Sequence, residues 1–469
     1  MAKQIDQNKL CSESTVQNGF AVISSIYVAL MISVYLFCFD STGYIKIMEV
    51  KRTVFYTICG GYCVVILLFA IQSSIVGQYK FSSLLETLRP TSWTQRFFLM
   101  YLLFTMLSAI FSPNAGTFLG NVRSEGLLTI GIYFLCYYFI SKFFVYKKWM
   151  LWFFSVSITV FCAICAMQLQ GINLFGLYPQ GYTYFDKNLK YAGEFIGTIG
   201  NVDFTAAFLC LAVPLLWISI IKLSGRRRLF LLIPLILSLY TVTAIHVMAG
   251  YLGVALSIIF TLPLLFNKRK NQQLAVATVL LCCIAAAVYL YCVDIGNGFL
   301  HEMHQLLHGN FDDSAGSGRI YIWKNVLERI PDRLFFGHGP DTMCFSDIKP
   351  FSRYDPAIGK TLYAYVDAAH NEILNILFSQ GLFAAISYIC ATFSLLIRGI
   401  REANKSAITL AFTAAVLGYY IQAFFGISQL ISAPYFWLAM GILEKAQGGE
   451  RKTKELHMLN ESIKKGTKK

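Results

Sequence analysis

An all-α membrane protein with about twelve transmembrane helices and one large extracytoplasmic loop is the architecture this sequence predicts, and three observations predict it. The 469 residues are 56% hydrophobic and only 14% charged, against roughly 25% charged in an ordinary soluble domain. Apolar runs of about 20 residues, the length that crosses a bilayer as a helix, recur along the chain. The basic residues behind the formal charge of +14 fall in short clusters between those runs and not in one broad patch. That pattern reads as membrane topology, and no nucleic-acid partner is expected.

The predicted spans are Phe20 to Phe39, Val54 to Val76, Phe97 to Phe111, Leu127 to Val145, Trp149 to Leu169, Val202 to Ile221, Leu229 to Met248, Tyr251 to Phe266 and Leu274 to Val293. Three more follow the long polar stretch: Glu372 to Leu396, Ser406 to Phe425 and Ile427 to Leu443. The division at Met248 to Gly250 is either a tight hairpin or a broken helix.

Orientation follows from Lys and Arg in the short loops. With the N-terminus inside, the inner loops hold 16 basic residues, among them Lys80, Arg89, Lys142, Arg226, Arg269 and Arg398. The short outer loops hold 6: Lys46, Lys51, Arg52, Arg123, Lys187 and Lys190. The predicted organisation is therefore a cytoplasmic N-terminus (1–19), nine spans (20–293), an outer loop (294–371), three spans (372–443) and a basic cytoplasmic tail (444–469). The expected location is the plasma (inner) membrane with both termini cytoplasmic. The first apolar run is too long for a cleaved signal and reads as an uncleaved span. The tail, with eight Lys and Arg, reads as disordered and as a contact for anionic headgroups.

Thirteen cysteines lie almost entirely in or beside spans, where Cys behaves as a small apolar residue. Cys162-Ala-Ile-Cys165 therefore reads as packing and not as a redox or zinc pair. No metal is assigned either, because Asp312-Asp313 lacks the alternating oxygen ligands of a cation loop.

Two outer segments carry polar chemistry. From Gln170 to Asp203, Tyr178, Tyr182, Tyr184, Phe185 and Tyr191 are interleaved with Asp186, Lys187, Lys190 and Glu194. Such rings serve as interfacial anchors or as sugar-stacking faces. In the long loop, Gly318 to Ile330 spaces Ile322, Val326 and Ile330 four apart, with Trp323 and Leu327 alongside, which predicts an amphipathic helix ended by Pro331. Arg319 falls in its first turn. A cation there opposes the helix dipole and is better suited to binding an anion with the free amides than to stability.

His370 opens the tenth span, where Asp367 could cap the helix. An imidazole in that first turn would be held neutral and able to accept a proton from a hydroxyl; the plainer role for such a His is structural hydrogen bonding.

Taken together, Arg123-Ser-Glu-Gly-Leu, the run from Gly197 to Pro214, Gly318-Arg319 with Trp323, Gly337-His-Gly-Pro, and His370-Asn371 leading to Gln380-Gly381-Leu382 resemble the O-antigen ligase and O-antigen polymerase family. The resemblance implies a GT-C-like membrane glycosyltransferase of cell-envelope polysaccharide biosynthesis. It would move a glycan from undecaprenyl diphosphate to a glycan, lipid or wall-polymer acceptor on the outer side of the membrane, without cofactor or metal. It implies that Arg319 holds the diphosphate and that His370 activates the acceptor hydroxyl or organises the reacting groups. Arg123, Asn201, Asp203, His246, Trp323, His338 and Asn371 are the further substrate-binding candidates.

One stretch departs from the family. Ser-Arg-Gly is expected before the eighth span, and Val247-Met-Ala-Gly-Tyr-Leu-Gly253 stands there without an arginine. His246, Arg123, or Lys187 with Lys190 could supply the missing ligand. Two other functions fit twelve spans: a transporter, in particular a flippase of lipid-linked oligosaccharide, and a peptidoglycan-type polymerase relying on an acidic loop residue such as Asp341, Asp347 or Asp355. The first lacks acidic or basic residues near the membrane centre.

Overall fold

The structure, a computed structural model, describes residues 2–77, 81–186, 191, 193–296, 298–355 and 360–448. Lys80, Lys187, Lys190 and the basic tail from residue 449 lie outside the described residues.

Among the described residues, nine helices are long and apolar enough to cross a membrane: Ser14–Tyr35, Ile47–Ile75, Trp93–Phe111, Lys148–Gln168, Val202–Lys222, Arg226–Ala244, Met248–Leu265, Arg269–Cys292 and Leu382–Glu402. Leu127–Phe143 and Ala407–Ala423 are shorter apolar helices, and a further helix runs over 433–448. The chain is therefore an all-α, multi-pass membrane protein.

The Val202–Lys222 helix is the most enclosed of the nine and packs against Met248–Leu265 and Ala407–Ala423. Missing side chains permit that packing. A Cβ on Gly253 would lie 2.7 Å from the Gly418 carbonyl oxygen, and one on Gly418 would lie 2.6 Å from that of Cys210. Small residues let backbones meet this closely, which is how helices associate where lipid offers no hydrophobic drive. The stretch that departs from the family motif is thus used for packing, with Gly250 against Ala206 and Gly253 against Cys210.

Several expected boundaries move. The second helix starts at Ile47, not Val54, so Lys51 lies on a helix and not in a loop. Its ammonium is buried and donates to the carbonyls of Tyr35 (2.7 Å) and Leu36 (3.1 Å), satisfying acceptors at the end of the first helix. The tenth span is broken at Gly381 (φ +86°) into Glu372–Gln380 and Leu382–Glu402. A side chain at Gly381 would meet the Phe335 carbonyl, so the break is set by close approach of another backbone. The last helix starts at 433 and not at Ile427, leaving 427–432 irregular, and it continues past Glu444 to 448.

The long segment folds as a cap. It contains the helices Gly298–Leu307 and Ala315–Arg329 and a hairpin pairing Phe351–Asp355 with Lys360–Ala364. Ile322, Val326 and Ile330 are buried with Met343, Ile348, Val366, Leu374 and Phe378, as their spacing predicts. Leu327, expected alongside them, is exposed, because it lies on the far side of the same helix.

The loops sort into two groups. At one end Lys142 donates to the Arg89 carbonyl, Lys445 to the Lys142 carbonyl, and Arg398 pairs with Glu444. At the other end the cap meets the loops around residues 112–125, 201 and 425.

Candidate active site

The site is assembled by turns that leave side chains little choice of direction. The segment carrying Arg123 wraps around Asp341, whose Oδ2 accepts from the backbone amides of Asn121 (2.6 Å), Arg123 (3.1 Å) and Glu125 (3.3 Å). One Arg123 nitrogen pairs with Asp367 at 2.7 Å, while its Nε is buried without a partner.

Arg319 follows three residues in the left-handed region, Gly316, Ser317 and Gly318. A side chain at Gly318 would run into the Phe351 ring, so the glycine serves both the turn and the contact. Helical geometry begins at Arg319, and its guanidinium donates to the carbonyls of Gly316 (2.7 Å) and Phe425 (3.0 Å). No carboxylate pairs with it among the described residues.

His370 has φ +48°. The turn is held by the Trp323 indole, which donates to the Ala369 carbonyl at 2.9 Å, and by Asn375, whose Oδ1 accepts from the Ala369 amide at 3.1 Å. Asn371 caps the following helix by accepting from the Leu374 amide at 2.9 Å. The expected cap by Asp367 is therefore corrected: Asn371 stands next to the helix, and Asp367 is drawn to Arg123. His370 accordingly precedes the helix instead of lying in its first turn. Its imidazole makes no hydrogen bond to the described residues.

Arg123, Arg319 and His370 line one cavity of about 110 Å3 together with Asn201, Asp203, Gln422 and residues 425–427. Asn201 caps the Val202–Lys222 helix, its Oδ1 accepting from the amides of Asp203 (2.8 Å) and Phe204 (3.4 Å), which places it with Asp203 at the cavity wall. Burial lowers the His370 pKa to about 4, and the charges of Arg123 and Arg319 act in the same direction, partly opposed by Asp367. The neutral imidazole expected from the sequence thus has a different cause, enclosure beside two guanidiniums and not a helix dipole.

Strain gathers here as well. Among the described residues, six non-glycine ones have positive φ, and four of them, Ser124, Ser317, Asp341 and His370, are in or beside the elements just described. Such conformations persist where the surroundings over-determine them, and functional sites are where they cluster.

The other candidates are placed differently. Trp323 and Asn371 hold the His370 turn and do not line the cavity. His338 stacks on Phe378 at 4.2 Å and its Nδ1 meets the Phe378 carbonyl at 3.1 Å; its motif is a clasp, in which the amides of His338 and Gly339 donate to the carbonyls of Phe378 and Ser379. His246 is exposed in the turn between the seventh and eighth helices, with φ +55° and Nδ1 3.4 Å from the Tyr251 hydroxyl. Neither histidine reaches the cavity. In the 170–203 segment, Tyr178 is buried with Tyr44, whose hydroxyl donates to the Gly197 carbonyl at 2.8 Å.

Sequence reasoning passed over a second, acidic chamber. It is lined by Glu125, Asp341 and Glu372 with Tyr101, Tyr133 and Tyr388, and shares Arg123 and Ile427 with the cationic cavity. Glu125 stands inside the quoted Arg123-Ser-Glu-Gly-Leu and Glu372 directly follows His370-Asn371, and only their meeting across the fold was invisible.

The fold and site together describe a multi-pass helical protein with a cationic, histidine-bearing cavity under a cap. Residues 233–389 match the model of the O-antigen ligase family. The matched segment holds Arg319, Trp323, His338, His370 and Asn371; Arg123, Asn201 and Asp203 lie before it. No curated protein matches the chain.

Proposed function

We propose that this protein transfers a glycan from undecaprenyl diphosphate to an acceptor hydroxyl at the outer face of the plasma membrane. The observation that carries the reading is the convergence of Arg123, Arg319 and His370, from three distant parts of the chain, on one cavity. The leaving diphosphate carries the activation, so the protein's task is to stabilise charge and position the acceptor. Arg319 suits the first task, since its fork of donors matches phosphate oxygens and, among the described residues, no carboxylate is ion-paired with it. Arg123 is the second cation, standing in for the arginine missing before the eighth span.

His370 would meet the acceptor hydroxyl. Without a bound donor, enclosure and the charges of Arg123 and Arg319 keep its imidazole neutral. A bound diphosphate offsets both guanidinium charges and so raises the proton affinity of the imidazole, which becomes a stronger base only when donor is present. In-line attack at the anomeric carbon inverts that centre. The reading invokes no metal and no nucleotide sugar.

The twelve spans of this reading, in a GT-C-like arrangement, are the nine long helices, the two shorter apolar ones and 433–448. The end bearing Arg89, Lys142 and Arg398 is the cytoplasmic one by its excess of basic residues, which puts the cap and cavity outside. The peptidoglycan-type alternative is weakened at Asp341, whose carboxylate oxygen is committed to three amides.

The test uses purified full-length protein in detergent and inorganic pyrophosphate as probe, alongside polysaccharide formation in native cells lacking the wild-type copy. Arg319→Ala should lose pyrophosphate binding, and His370→Ala should retain binding but lose polysaccharide formation. A His370→Ala variant making polysaccharide at the wild-type rate sinks the proposal, as does a product that keeps the donor's anomeric configuration.

A further inference from the structure

The acidic chamber plays no part in that mechanism. Its volume is about 40 Å3, and a water needs roughly 10–15 Å3 of such space, so it has room for water and none for a sugar ring. Two atoms on its lining residues need a partner. Glu372 Oε2, on a side chain only 4% exposed, and Arg123 Nε are both buried and unbonded, and a buried polar group left unpaired is costly.

The carboxyls around the chamber are not equivalent. Asp341 is committed to backbone amides, and Asp367 to Arg123. Glu372 accepts from the Tyr388 hydroxyl at 2.5 Å and is fully enclosed. Glu125 is half-buried, and its Oε1 accepts from the Tyr133 hydroxyl at 2.7 Å. Of these groups it is the one that is both oriented and open to exchange.

We infer that the chamber is a proton sink for glycosyl transfer, in which Glu125 receives, through waters passing the Arg123 and Ile427 wall that the two cavities share, the proton that the acceptor hydroxyl gives up at His370. The inference rests on the transferase reading above. As the acceptor oxygen bonds to the anomeric carbon, the bond from that carbon to the diphosphate oxygen breaks and its electron pair leaves with the diphosphate. The hydroxyl proton passes to the imidazole, then by water to the Glu125 carboxylate, and returns to bulk water as product departs. When the diphosphate leaves, two guanidiniums again face the imidazole and an imidazolium is disfavoured there, which drives the proton onward.

Glu125 suits the part electrostatically as well. Burial pushes its pKa up to about 8, with Tyr133 opposing the rise and Asp341 and Glu372 adding to it. Arg123 lies two residues away, Arg52 reaches the neighbouring Ser124 hydroxyl at 3.3 Å, and the hydroxyls of Tyr35, Tyr101 and Tyr419 are within electrostatic reach. A proton acceptor works best with a pKa near the working pH. Glu125 acts through His370 and is a positioning residue, so the test must read more than lost activity.

Polysaccharide formation is measured against external pH in native cells carrying only the variant chain. The wild type should speed up as pH rises through about 8, because the carboxylate is the accepting form. Glu125→Gln should slow the rate by about 10²-fold and flatten that rise, while the purified variant still binds inorganic pyrophosphate. Tyr133→Phe removes the hydrogen bond that favours the carboxylate and should move the rise to higher pH. It decides the matter if Glu125→Gln does not accumulate. A Glu125→Gln rate within about twofold of wild type, an unchanged pH rise, or a Tyr133→Phe profile identical to wild type overturns the sink. If Arg319→Ala and His370→Ala are inactive while Glu125→Gln is active, only the sink falls; if all three are active, the transferase reading itself falls.

Discussion

Two clusters of charge sit at opposite ends of the same helical bundle, and they are satisfied in opposite ways. At the end bearing Arg398, the guanidinium pairs with Glu444 and also donates to Gln447, which in turn donates to the Leu395 carbonyl. Glu444 is only 5% exposed there, and each partner finds its complement. At the cap end, among the described residues, Arg319 donates to two carbonyls and has no ion pair, Arg123 leaves Nε unbonded and His370 makes no hydrogen bond. A polar group that stabilises a fold is matched from within the protein. One kept for a ligand is positioned by its surroundings and left incomplete.

The largest expected effect tests that contrast directly. Arg319→Ala should lower polysaccharide formation in native cells by about 10³-fold, the scale for removing a fixed donor to developing charge, with thermal inactivation in detergent little changed. Arg398→Ala should do the reverse. It strands a buried carboxylate, a loss of about 3 kcal/mol, and should shorten the half-life of the solubilised protein on heating while activity per folded molecule holds. If Arg398→Ala abolishes transfer in protein that remains folded, the division between a structural and a functional end is wrong.

Asp341 is the intermediate case, a structural group inside the functional end. Asp341→Asn keeps a carbonyl oxygen that can take the place of Oδ2 but removes the negative charge that the three amides face. The segment 121–125 should loosen, since hydrogen bonds to a charged group are worth about 1.5–3 kcal/mol. Transfer should fall, though by less than the roughly 10²-fold that follows full misplacement of a catalytic group. Abolished transfer with normal stability would instead favour the acidic-residue mechanism of a peptidoglycan-type polymerase.

Much of this was legible in the chain before any coordinates. Spans announce themselves because lipid demands long apolar helices, and the Ile322, Val326, Ile330 stripe is periodicity that local geometry must honour. Arg319 was legible too, as a cation after two glycines where a helix begins. What the sequence hides is contact between distant segments. The Gly381 break exists because the Phe335 backbone crosses there, and Glu125 and Glu372 meet at one chamber only through the tertiary fold. His338 and His370 stand in equally suggestive motifs, and only the fold tells a ring stacked on Phe378 from a ring left without a partner.

A smaller effect concerns acidity. His370 has a pKa of about 4 in the fold against about 6.5 unfolded, so between those values the unfolded chain binds more protons. Stability is therefore whole above pH 6.5 or so and falls as pH drops toward 4. His370→Asn lacks this group, and its thermal inactivation in detergent should depend less on pH across that window. Equal pH dependence in the two proteins would mean the imidazole is not enclosed beside the two guanidiniums.

The smallest expected effect is at His246, the residue that stands nearest in sequence to the missing family arginine. Its ring is exposed, its only hydrogen bond among the described residues is a long one to Tyr251, and neither cavity includes it. What fixes the turn is its positive φ, and Asn tolerates that region better than most residues. His246→Asn should therefore leave both polysaccharide formation and stability within about twofold of wild type, the range of an ordinary surface substitution. A loss comparable to that of Arg319→Ala would put a ligand at the seventh and eighth helices after all, and the second cation of the site would then be sought there instead of at Arg123.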